Sequence, residues 1–349
     1  MMHSEKNFSL KPITGEQLQA FYDAFPGQKT FLQTPKYGDF RSALGEKNFR
    51  YGIYSQNSDS KQVKMIGVAQ FQRIPAKRGI HLHLPHGPLI QNTQNKALAF
   101  FLSEYKRLGH EQSCDFVRIS SLFEKEGARE ILDSFKKEGF RDAPVHLVNP
   151  EKTWVLDITQ SEEDILKNMR KSTRYEVRRS GRGEIKTRMG NKKEDLEIFW
   201  KLHTETVKRQ NFIPFARQTT EKELEIFGND VQIFSAEVEQ IMCSSSIIIF
   251  DSHAAYYHQG ASTYSKLPCS HSTLWDAIRE AKRRGCTEFN FWGVCDEDEK
   301  DHPWYGLSRF KRGFGGEERN FLHAQDFPLT KKYWLNWTVE KYRKWKRNY

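Results

Sequence analysis

Apolar and polar positions along the first 149 residues recur with the periods of short helices and strands. Residues 34–44 show the helical pattern, because Thr34 is a favoured N-cap and Pro35 suits the first helical position. Partial alternation over 62–73 is typical of a strand. The pattern predicts helices over 15–24, 34–44, 93–109 and 124–138, and strands near 49–55, 62–73, 80–84, 113–119 and 144–148.

The dipeptide Asn149-Pro150 marks a boundary, since proline disfavours helix in the preceding residue and cannot extend a central strand. The pattern then starts again. A strand over 153–158 leads to a helix whose start either Thr159 or Ser161 could cap. Further on, the pattern predicts helices over 162–180, 192–210, 219–227, 271–284 and 330–347, and strands over 184–189, 231–238, 241–250, 253–260 and 287–292.

Both halves therefore contain helices, a three-strand meander, another helix and another strand. We predict an α+β (mixed α/β) fold made of two similar lobes with a cleft between them. The prediction rests on the order of elements, because no residue-level repeat relates the halves.

Composition limits the classes of function. The 349 residues are 37% hydrophobic, which excludes a disordered chain. A net charge of +10 favours an anionic partner such as RNA, a nucleotide-linked substrate or an acidic membrane surface. We expect a cytoplasmic protein, because no stretch has the features of a signal peptide or approaches the ~20 apolar residues of a membrane helix.

Three patterns that could suggest bound metal are weak. The five cysteines are scattered and form no CxxC pair. His81, His83 and His86 have no carboxylate near them in sequence, and Pro85–Pro88 is typical of a turn. The acidic loop 296–301 lacks the central glycine of a calcium loop. We therefore expect no metal and no cofactor.

A basic segment over Lys167–Arg182 is almost free of carboxylates. Residues 167, 170, 171, 174 and 178 are all cations spaced to lie on one face of a helix. Such a face suits a phosphate backbone, and a solvated surface is the equally weighted alternative.

The segment Gly306–Glu317 concentrates cations, aromatic residues and glycines. Arg309, Lys311 and Arg312 flank Phe310, which together suit a partner that is both anionic and planar. The alternative is a short helix ended by a glycine, with its cations near the negative end of the helix dipole.

Four stretches of the second half resemble the FemABX family of peptidoglycan bridge aminoacyltransferases, in its armless, FemX-like form. The most specific is GLSRFKRGFGGE at 306–317. The others are MRKSTR at 169–174 with VRR at 177–179, YHQGAS at 257–262, and AKRRG at 281–285 followed by FNFWG at 289–293. In the first half, FLQT at 31–34 and PHGP at 85–88 are similar to family elements.

The resemblance implies two lobes of the acetyltransferase (GNAT) type. The first would span 1–149 and be completed by a C-terminal helix over 328–349, and the second would span 150–327. It also implies transfer of an aminoacyl group from aminoacyl-tRNA, the co-substrate, to an amine of the peptidoglycan stem peptide, on UDP-MurNAc-pentapeptide or lipid II. The enzyme would be a monomer, with peripheral contact to the inner membrane surface.

Residue roles follow from the same resemblance. Lys311 is the predicted catalytic residue, which supports the oxyanion. Two departures from the family pattern bear on the site: Lys36-Tyr37 replaces a tryptophan-centred pattern, and Asn290 replaces the usual aspartate. The resemblance assigns tRNA binding to Phe310, Arg309, Arg312, Lys171 and Arg174, and acceptor binding to Arg41, Arg209 and Tyr257.

Two other functions remain open from sequence. Arg178–Gly183 fits the RxxGxG pattern that binds acetyl-CoA, which would indicate an acyl-CoA-dependent N-acyltransferase on the same fold. Its predicted position between a helix and a strand argues against this, because such loops normally precede a helix. A non-catalytic RNA-binding module would explain the charge alone.

Overall fold

The computed structural model describes residues 6–57, 62–91, 95–144, 149–210 and 216–347. The predicted strand at 144–148 falls almost wholly outside them. The chain divides into two compact units, one of residues 1–151 with 320–349 and the other of residues 152–319. The fold is α+β, with one mixed sheet in each unit.

Unit 1 begins with a strand that the hydrophobic pattern did not predict, followed by the predicted helices and meander. Thr34 and Pro35 stand at the N-cap and first position of the second helix, as expected. Its elements up to the boundary are β1 (Lys6–Pro12), α1 (Gly15–Ala24), α2 (Pro35–Ala43), β2 (Lys47–Asn57), β3 (Val63–Ala76), β4 (Gly79–Pro85), β5 (Leu89–Ile90), α3 (Asn95–Glu111), β6 (Phe116–Ser120), α4 (Arg129–Lys137) and β7 (Arg141–Asp142).

Unit 2 departs from prediction at the basic segment, which forms two helices instead of one. Ser161 caps the first, accepting a hydrogen bond from the Asp164 N–H at 3.1 Å. The elements of the unit are β8 (Lys152–Asp157), α5 (Glu162–Asn168), α6 (Lys171–Ser180), β9 (Lys186–Gly190), α7 (Lys193–Gln210), α8 (Arg217–Phe227), β10 (Val231–Val238), β11 (Ile241–Phe250), β12 (Ala254–Ser262), α9 (Cys269–Arg283), β13 (Glu288–Gly293), α10 (Tyr305–Arg312) and β14 (Glu317–Asn320).

The chain then returns to unit 1 with β15 (Gln325–Pro328) and α11 (Tyr333–Arg347). This return starts at residue 320 rather than at the expected 328, because β15 pairs with both β6 and β7. Asp326 on β15 accepts two hydrogen bonds of 2.7 Å from the guanidinium of Arg118, and both side chains are buried.

Sheet order is β1-β2-β3-β4-β6-β15-β7 in unit 1 and β14-β8-β13-β12-β11-β10-β9 in unit 2. Each sheet contains a parallel pair within its antiparallel ladder: β4 with β6, and β12 with β13. A hydrophobic core lies within each unit, around Phe71, Phe101 and Tyr105 in the first and around Ile248, Leu274 and Phe289 in the second. Of the helices in the described residues, none has the length and apolar character needed to cross a membrane.

Candidate functional site

Helix α10 carries the basic segment singled out from sequence, and it turns that segment's cations in different directions. Ser308 and Lys311, three residues apart, lie on its buried face. The Ser308 hydroxyl accepts a hydrogen bond from the Cys295 N–H at 3.0 Å, which fixes the helix to the loop after β13. Arg309 lies on the exposed face.

Lys311 is a buried lysine, only 5% exposed. Its Nζ donates a hydrogen bond to the Gly293 carbonyl at 2.7 Å and lies 5.8 Å from the centroid of the Tyr257 ring. Burial disfavours the charged ammonium and lowers the pKa of Lys311 to about 7. This side chain can therefore gain or lose a proton near neutral pH.

The end of β13 is shaped so that the Gly293 carbonyl lies beside Lys311. A bulge shifts the pairing of β13 with β8 between Asn290 and Gly293, and Trp292 adopts a φ of +66° within it. The side-chain oxygen of buried Asn290 accepts a hydrogen bond from the Trp292 N–H at 2.8 Å. Asn290, whose presence departs from the family pattern, thus holds the backbone that Lys311 contacts.

Tyr257 lies on β12, which pairs with the start of β13. Burial raises the pKa of the Tyr257 hydroxyl to about 12, and a hydrogen bond with Ser246 opposes that shift in part. A Cβ at position 260 would lie 1.9 Å from the Tyr257 hydroxyl oxygen, so glycine is needed there. Tyr257 therefore keeps a neutral hydroxyl and presents its ring to Lys311.

Arg312 is a predicted tRNA-binding residue, but its side chain faces the interior of unit 2. Its Nη2 donates to the Cys295 carbonyl at 2.6 Å and to Glu318 at 3.1 Å, and the guanidinium stacks over Trp154 at 5.3 Å. These contacts assign Arg312 a structural role, because its side chain is only 9% exposed and its charge is already paired.

Phe310 is half-buried and contacts an aromatic partner that sequence reasoning missed. Its ring makes edge contacts with His271, 5.0 Å between centroids, and with Phe314 at 5.4 Å. His271 stands on the first turns of α9. Burial lowers the pKa of His271. Nothing in the sequence around 271 marks this histidine, since its neighbours in the site come from other elements.

The first turn of α6 meets the end of α10. The N–H of Arg170 donates to the Gly313 carbonyl at 3.0 Å, and a Cβ on Gly313 would lie 2.3 Å from the Thr173 hydroxyl. Lys171 is exposed on this turn, and Arg174 donates to the Lys167 carbonyl at 2.9 Å. The structure thus joins the two basic segments. The predicted single face over 167–178 is wrong, because the chain leaves the helix at Met169 and starts a new one after Arg170.

The two predicted acceptor-binding arginines lie in different units. In unit 1, Arg41 forms an ion pair with Glu46, with Nε donating at 2.8 Å, and lies 5.9 Å from the centroid of the Tyr37 ring. In unit 2, exposed Arg209 donates to the Ser262 carbonyl at 2.7 Å. Their joint action on one ligand stays a prediction.

A sequence model of the FemAB family matches residues 13–241 and 216–341, which together span most of the chain. The chain belongs to the FemAB family. A lipid II:glycine glycyltransferase of Staphylococcus epidermidis is similar, with 21% identity in an alignment 374 positions long. The alignment covers 87% of this chain and 88% of the relative. The Staphylococcus aureus protein of the same name is also 21% identical, over 87% of this chain and 89% of its own.

Solved structures give the same fold for this FemAB protein. The crystal structure of FemX superposes with a TM-score of 0.81 at 17% identity, covering 95% of this chain and all of that one. A tandem GNAT protein from the clavulanic acid pathway superposes with a TM-score of 0.56 at 8% identity, covering 92% of this chain and 98% of its own. The prediction of two GNAT-like lobes is confirmed.

The RxxGxG segment of this FemAB protein lies where a helix ends. Gly181 is the C-cap of α6, and Gly183, with a φ of +93°, follows in a turn that leads into β9. The segment thus stands before a strand, as predicted, and its backbone N–H groups do not begin a helix.

Two further places in this FemAB protein could hold a ligand: the histidines around β4 and a cavity in unit 2. His81 stacks on Phe116, and burial lowers the pKa of both His81 and His86 to about 3. Within the described ranges no three metal-ligating side chains cluster. Unit 2 also holds a polar cavity of about 600 Å³, lined in part by Asp157, Gln160 and Glu288, none of which is a predicted site residue.

Proposed function

We propose that this protein transfers an aminoacyl group from aminoacyl-tRNA to an amine of a peptidoglycan stem-peptide precursor. Membership of the FemAB family supports the reaction class, and similarity to lipid II:glycine glycyltransferases supports a cell-wall acceptor. The observation that carries the proposal is the buried Lys311, held between the Gly293 carbonyl and the Tyr257 ring.

The proposed reaction needs no covalent enzyme intermediate. The acceptor amine attacks the carbonyl carbon of the aminoacyl ester, an amide bond forms, and the bond to the ribose oxygen breaks. One proton leaves the amine and one reaches the departing ribose oxygen. The enzyme's tasks are to align the two substrates and to stabilise the oxyanion that forms on the carbonyl oxygen.

Lys311 suits the second task. Its ammonium stands in a desolvated setting, where a charge stabilises a developing oxyanion more than it would in water. With a pKa of about 7, the same group gives up a proton readily, so it also suits proton delivery to the ribose oxygen. Tyr257, whose pKa is about 12, remains a neutral hydrogen-bond donor in this scheme.

The contact between α10 and α6 provides a surface for the tRNA end in this proposal. Phe310 offers part of an aromatic ring to a terminal base, and stacking of this kind tolerates any base. Exposed Arg309 and Lys171 supply cations for the phosphates. Arg312 has no part in it, since its side chain is only 9% exposed and donates to the Cys295 carbonyl.

On the acceptor side, we propose that Arg41 and Arg209 each contribute to binding the phosphates of the precursor. An arginine fork matches phosphate oxygens with two parallel hydrogen bonds. The ion pair between Arg41 and Glu46 keeps the Arg41 side chain oriented. Both soluble UDP-linked and lipid-linked precursors carry a diphosphate, so this proposal covers both.

The acyl-CoA alternative receives no support from the segment that suggested it. The six residues Arg178–Gly183 end a helix, and the pyrophosphate of CoA would find no helix N-terminus there. CoA is nevertheless a necessary arm of the test, because the GNAT-like fold alone does not exclude it.

The test is a transfer assay with purified protein, charged tRNA and an acceptor muropeptide, run across several aminoacyl-tRNAs. We expect acceptor modification that disappears when RNase destroys the tRNA. Modification that survives RNase, or that needs acyl-CoA instead, would overturn the proposal. A protein that binds tRNA but never modifies an acceptor would indicate the RNA-binding alternative.

A further inference from the structure

The C-terminal helix α11 is fixed to unit 1 by one face only. Tyr333 and Asn336 are buried, and the Tyr333 hydroxyl donates to Asp326 at 3.2 Å. Glu340 accepts a hydrogen bond from Arg118 at 3.1 Å. These residues are spaced three and four apart, so they form the inner face of the helix.

The opposite face of α11 exposes large apolar side chains, which we call the outer stripe. At about 100° per residue, they fall within an arc of about 100° on the helix. Aromatic side chains of this size are normally mostly buried, so exposing four apolar groups in one row is unusual for a soluble surface. The outer stripe consists of Trp334, 44% exposed, Leu335, 59%, Tyr342, 57%, and Trp345, 74%.

The helix that carries the outer stripe is rich in cations. The only carboxylate between residues 331 and 347 is Glu340, which is already paired with Arg118. Lys341 lies 4.4 Å from the centroid of the Trp337 ring, and Arg141 lies 5.0 Å from that of Trp334. The cations of the segment itself are Lys331, Lys332, Lys341, Arg343, Lys344, Lys346 and Arg347.

We propose that the outer stripe of α11 binds the surface of an anionic lipid bilayer. Tryptophan and tyrosine favour the boundary between headgroups and acyl chains, where a ring can be buried while its polar edge stays hydrated. Lysines and arginines beside them attract anionic headgroups. A 15-residue helix is about 22 Å long, too short to span the hydrocarbon core, so α11 would lie in the plane of the surface.

A bilayer fits this surface better than the other candidate partners. A second copy of the chain would bring two strongly cationic helices together, and like charges repel. A nucleic acid would satisfy the cations, and its bases could stack on the rings, but it would offer no apolar interior to Leu335. Only an anionic surface with an apolar interior satisfies both components. The inference does not depend on the transfer reaction proposed above.

The experiment is flotation of the full-length protein with vesicles. One set contains phosphatidylglycerol mixed with phosphatidylcholine, and the other contains phosphatidylcholine alone. Two double variants change the helix: Tyr342→Ala with Trp345→Ala removes aromatic area, and Lys341→Glu with Lys344→Glu reverses charge. A matched control, Lys136→Glu with Lys137→Glu, makes the same charge change on exposed positions of α4 in the same unit.

We expect binding to the anionic vesicles that weakens with salt and is at least about tenfold weaker on phosphatidylcholine. Each helix variant should lose about tenfold or more in binding, while the control stays within about twofold to threefold of the wild type. Circular dichroism and unchanged transfer to a soluble acceptor would show that the variants are folded.

Equal losses in the control would overturn the inference, since net charge alone would then explain binding. Unchanged binding by both helix variants would do the same. A concentration-dependent dimer that the helix variants abolish would assign the outer stripe to self-association instead. Loss of tRNA binding in those variants, without vesicle binding by the wild type, would assign it to nucleic acid.

Discussion

The backbone N–H of Arg170 donates a hydrogen bond to the carbonyl of Gly313 at 3.0 Å, and this bond joins two basic segments that are far apart in sequence. It forms where α6 begins and α10 ends, so the first turn of α6, which carries exposed Lys171, meets the last turn of α10. The proposed tRNA surface is therefore produced by tertiary contact and is not a property of either segment alone.

Replacing Lys311 should stop transfer without unfolding the protein. In Lys311→Met, an apolar chain of similar length fills the same buried space, so we expect a folded protein whose kcat falls by about 10²–10³-fold. Affinity for charged tRNA should change little. Lys300→Met removes a lysine from an exposed loop and is the matched control. A Lys311→Met enzyme with near-normal kcat would remove Lys311 from the mechanism.

The lowered pKa of Lys311 also predicts how stability depends on pH. In the unfolded chain this lysine has a pKa near the ordinary lysine value of 10.5, and in the folded protein the pKa is about 7. Between these values the unfolded state binds more protons, so this group makes folding more favourable as pH rises. This contribution of Lys311 to the free energy of unfolding is fully present above pH 10.5, the pKa of the unfolded chain, and is lost as the pH falls to about 7.

Urea unfolding at several pH values measures this effect. From pH 7 to 10, the free energy of unfolding of the wild type should rise relative to that of Lys311→Met, by at most about 1.4 kcal/mol per pH unit. Parallel profiles for the two proteins would mean that Lys311 titrates normally. The comparison with Lys311→Met cancels contributions from the other titrating groups.

Gly313 allows the close approach of α10 to α6, and a side chain there should be costly. A Cβ at 313 would lie 2.3 Å from the Thr173 hydroxyl oxygen and 3.0 Å from the Phe310 carbonyl. We expect Gly313→Ala to destabilise the protein by about 1–3 kcal/mol, as overpacking of a well-packed site does.

A double-mutant cycle locates the cause of that loss. Thr173→Ala removes the nearer atom, so the pair Gly313→Ala with Thr173→Ala should recover part of the stability lost in the single variant. Thermal unfolding of the four proteins measures the coupling. Strictly additive effects would show that the two positions do not meet.

Arg41→Ala and Arg209→Ala should each raise the KM for the muropeptide acceptor by about tenfold or more while leaving the KM for aminoacyl-tRNA within about twofold. Steady-state kinetics with each substrate varied separately distinguishes the two effects. Arg107→Ala, on α3, is the control for loss of a paired surface arginine. If both substrates' KM values rise together, the acceptor assignment is wrong.

Sequence patterns predicted most elements of the fold within a few residues but missed the break in the basic helix. Ile165, Met169, Thr173 and Val177 are all buried and recur every four residues, which is a helical period that continues across the break. The break itself is stabilised by the Gly313 carbonyl, a partner that no local window contains.

The candidate site was predicted less completely than the fold. Resemblance located Lys311 and Tyr257, and the structure places them together. Resemblance could not separate Arg309 from Arg312, because the direction of each side chain depends on where Cys295, Trp154 and Glu318 lie in the folded unit. His271 could not be predicted either, because its contacts with Phe310 and Phe314 form only in the folded unit.

The position of β15 between β6 and β7 has a consequence for how the chain folds during synthesis. Unit 2 is one continuous segment and has all its strands once residue 320 has left the ribosome. The sheet of unit 1 lacks an interior strand until Gln325–Pro328 emerges, and Arg118 has no Asp326 to pair with before then. The N-terminal unit is therefore the last to be completed, in contrast to chains whose domains finish folding in the order in which they are made.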